Sequence, residues 1–430
     1  MINQTTICAI ATAQGGAIGI IRVSGPDSIS IVDSIFRGRR SLIDAPAYSL
    51  HYGTIVNSDV IVDQVVLSLF RAPHSYTGED SVEISAHGSS YILQTICSLL
   101  IQQGCQPAAP GEYTQRAFLN GKLDLTQAEA VADLIASQNA SQHRVAMQQM
   151  RGGISQKLSD LRAQLLKLTS LLELELDFSE EDVEFASREA LINIAQEVRD
   201  EITRLSSSFS TGNAIKNGIP VAIIGAPNVG KSTLLNALLH EDKAIVSDIQ
   251  GTTRDTIEDC INISGILFRI IDTAGIRHTE DTIEKMGIER SRKAAERAQI
   301  IILMRDNDTD YPTLDIRDGQ TVIKVHNKSE DFQALTGKGM DWLEQQLLNS
   351  VPTANDDDEV LITNIRHKQA LDISLLDIQR TLDALEQNLP GDLIAEDLRQ
   401  CLHHLSQITG GAIDTEEVLG NIFSHFCVGK

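Results

Sequence analysis

Apolar residues recur along this chain with two different periods, and the change of period divides it. Leu158, Leu161, Leu165, Leu168 and Leu172 alternate spacings of three and four, the stripe of a helix buried along one side. Leu371, Leu375, Ile378, Leu382, Leu385 and Leu389 repeat that stripe; Gly391 then breaks it, and Leu398, Leu402 and Leu405 predict a second helix. Between these stretches lie short β-branched runs, Ile219–Ile224, Leu267–Ile271, Ile300–Met304 and Thr321–Val325, separated by helical patterns at Ser232–Leu239 and Glu284–Ala298. Such alternation predicts a parallel sheet covered on both faces. The first 120 residues mix strands (Ala17–Val23, Gln64–Phe70, Ser81–Ala86) with a helix near Tyr91–Gln102. The expected fold is therefore multidomain α+β: an N-terminal α+β domain over 1–120, an α-helical domain split between 121–215 and 353–430, and an inserted α/β domain over 216–352. The acidic run Asp356–Glu359 reads either as the return linker or as an exposed loop.

Composition narrows the class. Of 430 residues, 42% are hydrophobic and 22% charged, which excludes a wholly disordered chain. Lys and Arg number 36 against 59 Asp and Glu, and the net charge of -23 excludes a generic binder of phosphate backbones. Six cysteines are scattered without paired-ligand spacing, which argues against a zinc site or a disulfide scaffold. Neither a charged-then-apolar leader nor a bilayer-length apolar stretch is present, so a cytoplasmic protein with no membrane partner is expected.

Gly225-Ala-Pro-Asn-Val-Gly-Lys-Ser232 follows an apolar strand and opens a helix. Glycines let the backbone wrap phosphates with its N–H groups, and the helix N-terminus favours anions. Asn228, Val229, Gly230, Lys231, Ser232 and Thr233 are thus candidate nucleotide contacts, with Lys231 on the β- and γ-phosphates and Ser232 on Mg²⁺. Downstream, the polar loop Gly251-Thr-Thr-Arg-Asp255 offers a threonine hydroxyl to the metal and the γ-phosphate. Asp272, Thr273, Ala274 and Gly275 end a strand, placing a carboxylate near the metal. Asn327, Lys328 and Glu330 fall where GTPases read guanine, so GTP is expected over ATP. Two departures stand out. Ile276 occupies the place of a water-positioning glutamine, and the guanine motif ends in Glu330 rather than aspartate, with Asp331 as an alternative by register shift. The next base-contacting loop is compressed into Gln333–Lys338, with Ala334 as the candidate backbone contact.

These motifs, together with Ser75-Tyr-Thr-Gly-Glu-Asp80, Arg116-Ala-Phe-Leu-Asn-Gly-Lys-Leu-Asp124 and the ending Phe426-Cys-Val-Gly-Lys430, resemble the tRNA modification GTPase MnmE (TrmE) family over nearly the whole chain. The resemblance implies an N-terminal folate-binding and dimerisation domain, a discontinuous helical domain and an inserted P-loop G domain. It implies a homodimer that binds GTP and works with an FAD-dependent MnmG-type partner, as a heterotetramer or larger complex, on the wobble uridine of tRNA. The group added at the 5-position would be aminomethyl or carboxymethylaminomethyl, drawn from 5-formyl-tetrahydrofolate or a related folate. It places K⁺ on Asn228, Ser247, Ile249 and Thr252, Mg²⁺ on Ser232 and Thr253, and completes the nucleotide loop with Asp248, Gln250 and Gly251.

Folate contacts carry over to Arg22, Glu79, Lys122 and Lys430; Arg22 and Lys122 read equally as surface charge, although a cation inside the apolar run IGIIRVSG favours a site. The candidate catalytic residues are Lys231, Glu284 and Cys427. Glu284 would orient the attacking water indirectly in place of the missing glutamine, and its plainer reading is a helix-start carboxylate. Cys427 is either a thiol near the one-carbon chemistry or a packing partner of Phe423 and Phe426, and Cys-Val-Gly-Lys fits a prenylation box badly. The G motifs alone leave open a regulatory GTPase in ribosome assembly, without one-carbon chemistry.

Overall fold

In the first 120 residues the expected strands join into one sheet in the order β3-β4-β5-β6-β2-β1-β7. Its members are β1 (Ile7–Ile10), β2 (Ile18–Ser24), β3 (Phe36–Gly38), β4 (Ser49–Asn57), β5 (Val60–Phe70), β6 (Ser81–His87) and β7 (Gln106–Pro107). The structure is a computed structural model that describes residues 5–13, 15–177, 187–240, 244–245, 259–271, 292–317, 319–351, 360–411, 422–423, 426 and 429. Side chains alternate across a strand. Ile21, Val23, Leu67, Leu69, Val82 and Ile84 accordingly share one face, covered by Val32 and Ile35 of helix Ser28–Ile35 and by Leu93, Ile96 and Leu100 of helix Ser90–Gln102. Full burial of each such side chain is worth about 1.5–3 kcal/mol. The opposite face takes Arg22, which lies between Ile21 and Val23 and pairs in register with Glu83 of β6. Tyr113, from helix Glu112–Leu119, is fully buried with Ile7 and Ala9.

The second sheet runs β13-β12-β8-β11-β10-β9, from β8 (Ile219–Gly225), β9 (Ala244–Ile245), β10 (Asp259–Ile263), β11 (Ile266–Ile270), β12 (Ile300–Arg305) and β13 (Thr321–His326). The strands β13, β12, β8 and β11 are parallel, as the sequence pattern predicts. Two strands that the pattern does not predict, β9 and β10, extend the sheet, and β10 runs antiparallel to both β11 and β9. The cause is local: two residues, Ser264 (φ 51) and Gly265 (φ 85), join β10 to β11, and two left-handed residues make the hairpin turn whose twist suits antiparallel strands. One face of the sheet buries Val221, Ile223, Phe268, Ile300 and Ile302 under Leu234, Leu235, Leu343 and Leu347. The other packs Ala222, Ile224, Ile301 and Leu303 against Ala294, Ala295 and Ala298.

The long helices follow their leucine stripes. In Gly153–Asp177, Leu158, Leu161, Leu165, Leu168 and Leu172 are all buried. Helix Ile365–Glu386 buries Leu371, Ile378, Leu382 and Leu385, but Leu389 lies past its end and is exposed. Gly391 does not break the run; it is the first residue of helix Gly391–Thr409, and the break falls earlier, at left-handed Asn388 and Pro390. That helix buries Ile394, Leu398, Cys401, Leu405 and Ile408, with Leu402 only half-buried. Two compact units result: Met1–Ile135 with Gln149–Ser159 and Leu402–Lys430, and Ala136–Gln148 with Asp160–Cys401. Among the described residues, no helix is long and apolar enough to cross a membrane.

Candidate functional site

The phosphate loop joins β8, a strand buried almost throughout, to helix Lys231–His240. Three positions in it are dictated by backbone geometry. A Cβ on Gly225 would lie 2.6 Å from the Met304 carbonyl oxygen. Asn228 (φ 65) and Gly230 (φ 98) are both left-handed, and successive turns of this kind form an anion-holding concavity of N–H groups. Val229, between them, is fully buried in the core and pins the loop to the sheet. The Leu234 N–H donates to the Gly230 carbonyl, so the helix starts on the last glycine, with Ser232 and Thr233 half-buried in its first turn.

Lys231 Nζ donates to the carbonyls of Gly225 (2.9 Å) and Ala226 (2.8 Å), and burial holds its ammonium below the usual lysine range. An ammonium has three donors, so one remains for an anionic ligand. Asn327, buried at the end of β13, clips the loop to the base-recognition segment. Its Nδ2 donates to the Val229 carbonyl (2.8 Å), and its Oδ1 accepts from the Ala334 N–H (3.0 Å). The Ala334 amide expected to contact the base is therefore engaged by Asn327, while the second N–H of the Asn327 amide stays available to a purine acceptor. Lys328 reaches back to the Asn228 carbonyl at 3.0 Å. Glu330 and Asp331 are both exposed.

A second cluster lies in the N-terminal unit. Arg22 donates through Nε (3.0 Å) and Nη2 (2.8 Å) to Glu83 Oε1, with its guanidinium 5.3 Å from the Tyr76 ring and 5.5 Å from the Tyr113 ring. The Tyr113 hydroxyl donates to the Arg22 carbonyl at 2.8 Å, and burial pushes both tyrosine phenols above their usual range. Glu79 is held from both sides: Arg116, 3% exposed, donates to Oε1 at 3.1 Å and Ser24 donates to Oε2 at 2.8 Å. Arg116 also pairs with Glu112 (2.8 Å) and donates to the Thr5 carbonyl (2.7 Å). Lys122 is exposed and donates to the Pro73 carbonyl, while Asn120 donates to the Thr77 carbonyl, tying the two quoted N-terminal motifs together.

Matches to known proteins cover both clusters. A family model described as GTP-binding protein TrmE N-terminus matches residues 6–122, and one described as MnmE helical domain matches 125–427. Proteins called tRNA modification GTPase MnmE from Bacteroides thetaiotaomicron and Bacteroides fragilis are 52% and 53% identical to this chain, over 100% of each chain. One from Parabacteroides distasonis is 54% identical over 99% of this chain and 100% of its own. The chain belongs to the MnmE family of tRNA modification GTPases.

Several residues that the MnmE resemblance singles out lie outside the described residues: Ser247, Asp248, Ile249, Gln250, Gly251, Thr252, Thr253, Asp272, Thr273, Ala274, Gly275, Glu284, Cys427 and Lys430. Near the chain's end, Phe423 and Phe426 pack on Leu125, Ala128 and Phe118, and a Cβ on Gly429 would lie 2.7 Å from the Ile10 carbonyl oxygen. Glu83, Tyr76, Tyr113 and Arg116 went unrecognised in the sequence as site-forming residues. Glu83 carried one usable signal, a carboxylate between Val82 and Ile84 in an apolar strand.

Proposed function

We propose that this chain is a K⁺-assisted, Mg²⁺-dependent GTPase acting in the cytoplasm as a homodimer. With an FAD-dependent MnmG-type partner it adds an aminomethyl or carboxymethylaminomethyl group at the 5-position of the wobble uridine of tRNA. The observation that carries the one-carbon part is the Arg22–Glu83 pair flanked by two tyrosine rings beside the Glu79 carboxylate. These residues fit a folate. A guanidinium has five N–H donors, of which Glu83 takes two, leaving donors for carboxylate or carbonyl oxygens of the ligand. Glu79 retains acceptor capacity beyond Arg116 and Ser24 for the edge of a pterin, and Lys122 and Lys430 supply cations for a glutamate tail. When bound, a tetrahydrofolate supplies the one-carbon unit; the chain's own residues hold its ring edge and its anionic tail.

At the nucleotide site, Lys231 and the N–H groups of the Asn228–Lys231 turn bind phosphate oxygens, and Ser232 with Thr253 holds Mg²⁺. Asn228 is exposed and offers an amide oxygen, a hard donor suited to K⁺, with Ser247, Ile249 and Thr252 completing the set. The monovalent ion adds positive charge beside the phosphates, and Glu284 orients water where Ile276 cannot. Dimer formation is supported by the outward face of β4 and β5, where Leu50 (72%), Tyr52 (67%) and Val66 (38%) are exposed together. Light scattering at twice the 47.0 kDa chain mass checks it. The net charge of -23 leaves most of the grip on tRNA to the partner or to a local basic patch.

Calorimetric titration with 5-formyl-tetrahydrofolate tests the folate reading. Binding to the wild-type protein and its loss in Arg22→Gln are expected, and no heat in the wild type would sink it. GTP hydrolysis is expected to run faster in KCl than in NaCl at equal ionic strength, and equal rates would remove K⁺ from Asn228.

A further inference from the structure

Lys328 sits in the left-handed region (φ 60), half exposed, yet its ammonium is held at two points. Nζ lies 3.0 Å from the Asn228 carbonyl and 2.7 Å from Asp306 Oδ2. Asp306 is the first residue after β12, and it is 5% exposed. Its other oxygen accepts from the Thr309 hydroxyl (2.9 Å) and the Asp308 N–H (3.3 Å), so the carboxylate is fixed in orientation before Lys328 reaches it. The Lys328 pair holds the Asp306 carboxyl below the usual aspartate range.

Topology explains the meeting. The phosphate loop, Asp306 and the Asn327–Lys328 pair leave the carboxyl ends of β8, β12 and β13, three adjacent parallel strands, which is where open α/β sheets bind ligands. Lysine is a flexible four-carbon stem carrying a point charge, and holding it still costs side-chain entropy. With the backbone anchored after β13 and the ammonium anchored at Asp306 and Asn228, the apolar stem is stretched from the base-recognition segment to the phosphate loop. A stem held this way offers an apolar wall to a planar base, and its tip steadies Asn228, the residue on which the MnmE resemblance places K⁺.

We infer that Asp306 is a positioning residue of the guanine-nucleotide site, acting on the nucleotide through Lys328 and, through the Lys328–Asn228 bond, on the phosphate loop. This rests on the reading of the phosphate loop and Asn327–Glu330 as the nucleotide site.

The test is a double-mutant cycle on the full chain, read as Kd for a fluorescent GDP analogue. Asp306→Asn keeps an acceptor for Thr309 but removes the charge facing Lys328. It is expected to weaken binding roughly fivefold, the scale of one partly exposed ion pair, and Lys328→Ala is expected to weaken it more. If Asp306 works through Lys328, adding D306N to Lys328→Ala changes nothing further, whereas a merely structural role would add its full penalty. An unchanged Kd in D306N, or full additivity in the double variant, overturns the inference. Should D306N not fold, Asp306→Ser runs the same cycle. Lys231→Ala separates the two readings. If it leaves Kd unchanged, the site itself is misplaced; if it abolishes binding while D306N is silent, only the role of Asp306 falls.

Discussion

At the phosphate loop, Lys231 rests on the main-chain carbonyls of Gly225 and Ala226, and Lys328 rests on that of left-handed Asn228 as well as on the Asp306 carboxylate. In the N-terminal unit, charge rests on charge: Arg22 on Glu83, and Arg116 on both Glu79 and Glu112, all carried by regular strands and helices or the short loop before β6. Both arrangements hold a cation still, but they are vulnerable to different changes. A carbonyl remains when a side chain is altered, so the loop's weak points are the positions where no Cβ fits. A paired carboxylate buried with its arginine becomes a liability when the arginine goes, so the cluster's weak points are its charges.

The largest effect expected from this contrast is at Arg116. Arg116→Met keeps most of the volume and leaves Glu79 and Glu112 without their cation, with Ser24 and the Ala109 N–H as the remaining donors. Breaking a buried pair in this way costs about 3–5 kcal/mol, to be read from urea unfolding followed by circular dichroism. A loss below about 1 kcal/mol, the scale of an exposed pair, would mean that water reaches the network and that the two regions do not differ in kind.

The same contrast explains what the sequence discloses. The phosphate loop is legible because its conformations demand particular residues at fixed spacing, and Gly225, Asn228 and Gly230 stand within six positions of one another. Arg22 is legible as a cation in an apolar strand, and Glu83 is an equally odd carboxylate in another. Their pairing depends on the register of β2 against β6 across 61 residues, which no local pattern encodes. Strand β4 escaped detection for a related reason. Its outward face carries Leu50 and Tyr52 while His51 and Gly53 alternate with them, so the polar-out signal of a half-buried strand is inverted. The antiparallel direction of β10 hinges on Ser264 and Gly265, two residues that strand–helix counting passes over. No local pattern singles out Asp306, because its contact with Lys328 depends on β12 and β13 ending side by side, with Arg305 opposite His326.

The backbone half of the comparison is sharpened by two alanines. A Cβ on Gly230 would sit 2.3 Å from Asn327 Nδ2, and the residue is left-handed at φ 98. Asn327 cannot retreat without giving up the Val229 carbonyl or the Ala334 N–H. Gly230→Ala therefore carries a left-handed penalty of about 1–2 kcal/mol together with a disrupted buried hydrogen bond worth about 1–3 kcal/mol. Gly337 is also left-handed (φ 76), but nothing lies within 4 Å of its Cβ position. Gly337→Ala is thus expected to cost only the first part, about 1–2 kcal/mol. Trp342, the one tryptophan, stacks edge-on against Phe332 of the base-recognition segment, so its fluorescence during urea unfolding follows the unit that both glycines belong to. If the two alanines destabilise equally, the clip through Asn327 contributes nothing beyond backbone conformation, and the loop's dependence on that buried amide is wrong. If Gly230→Ala alone also abolishes binding of the GDP analogue, the clip both holds the fold and shapes the site.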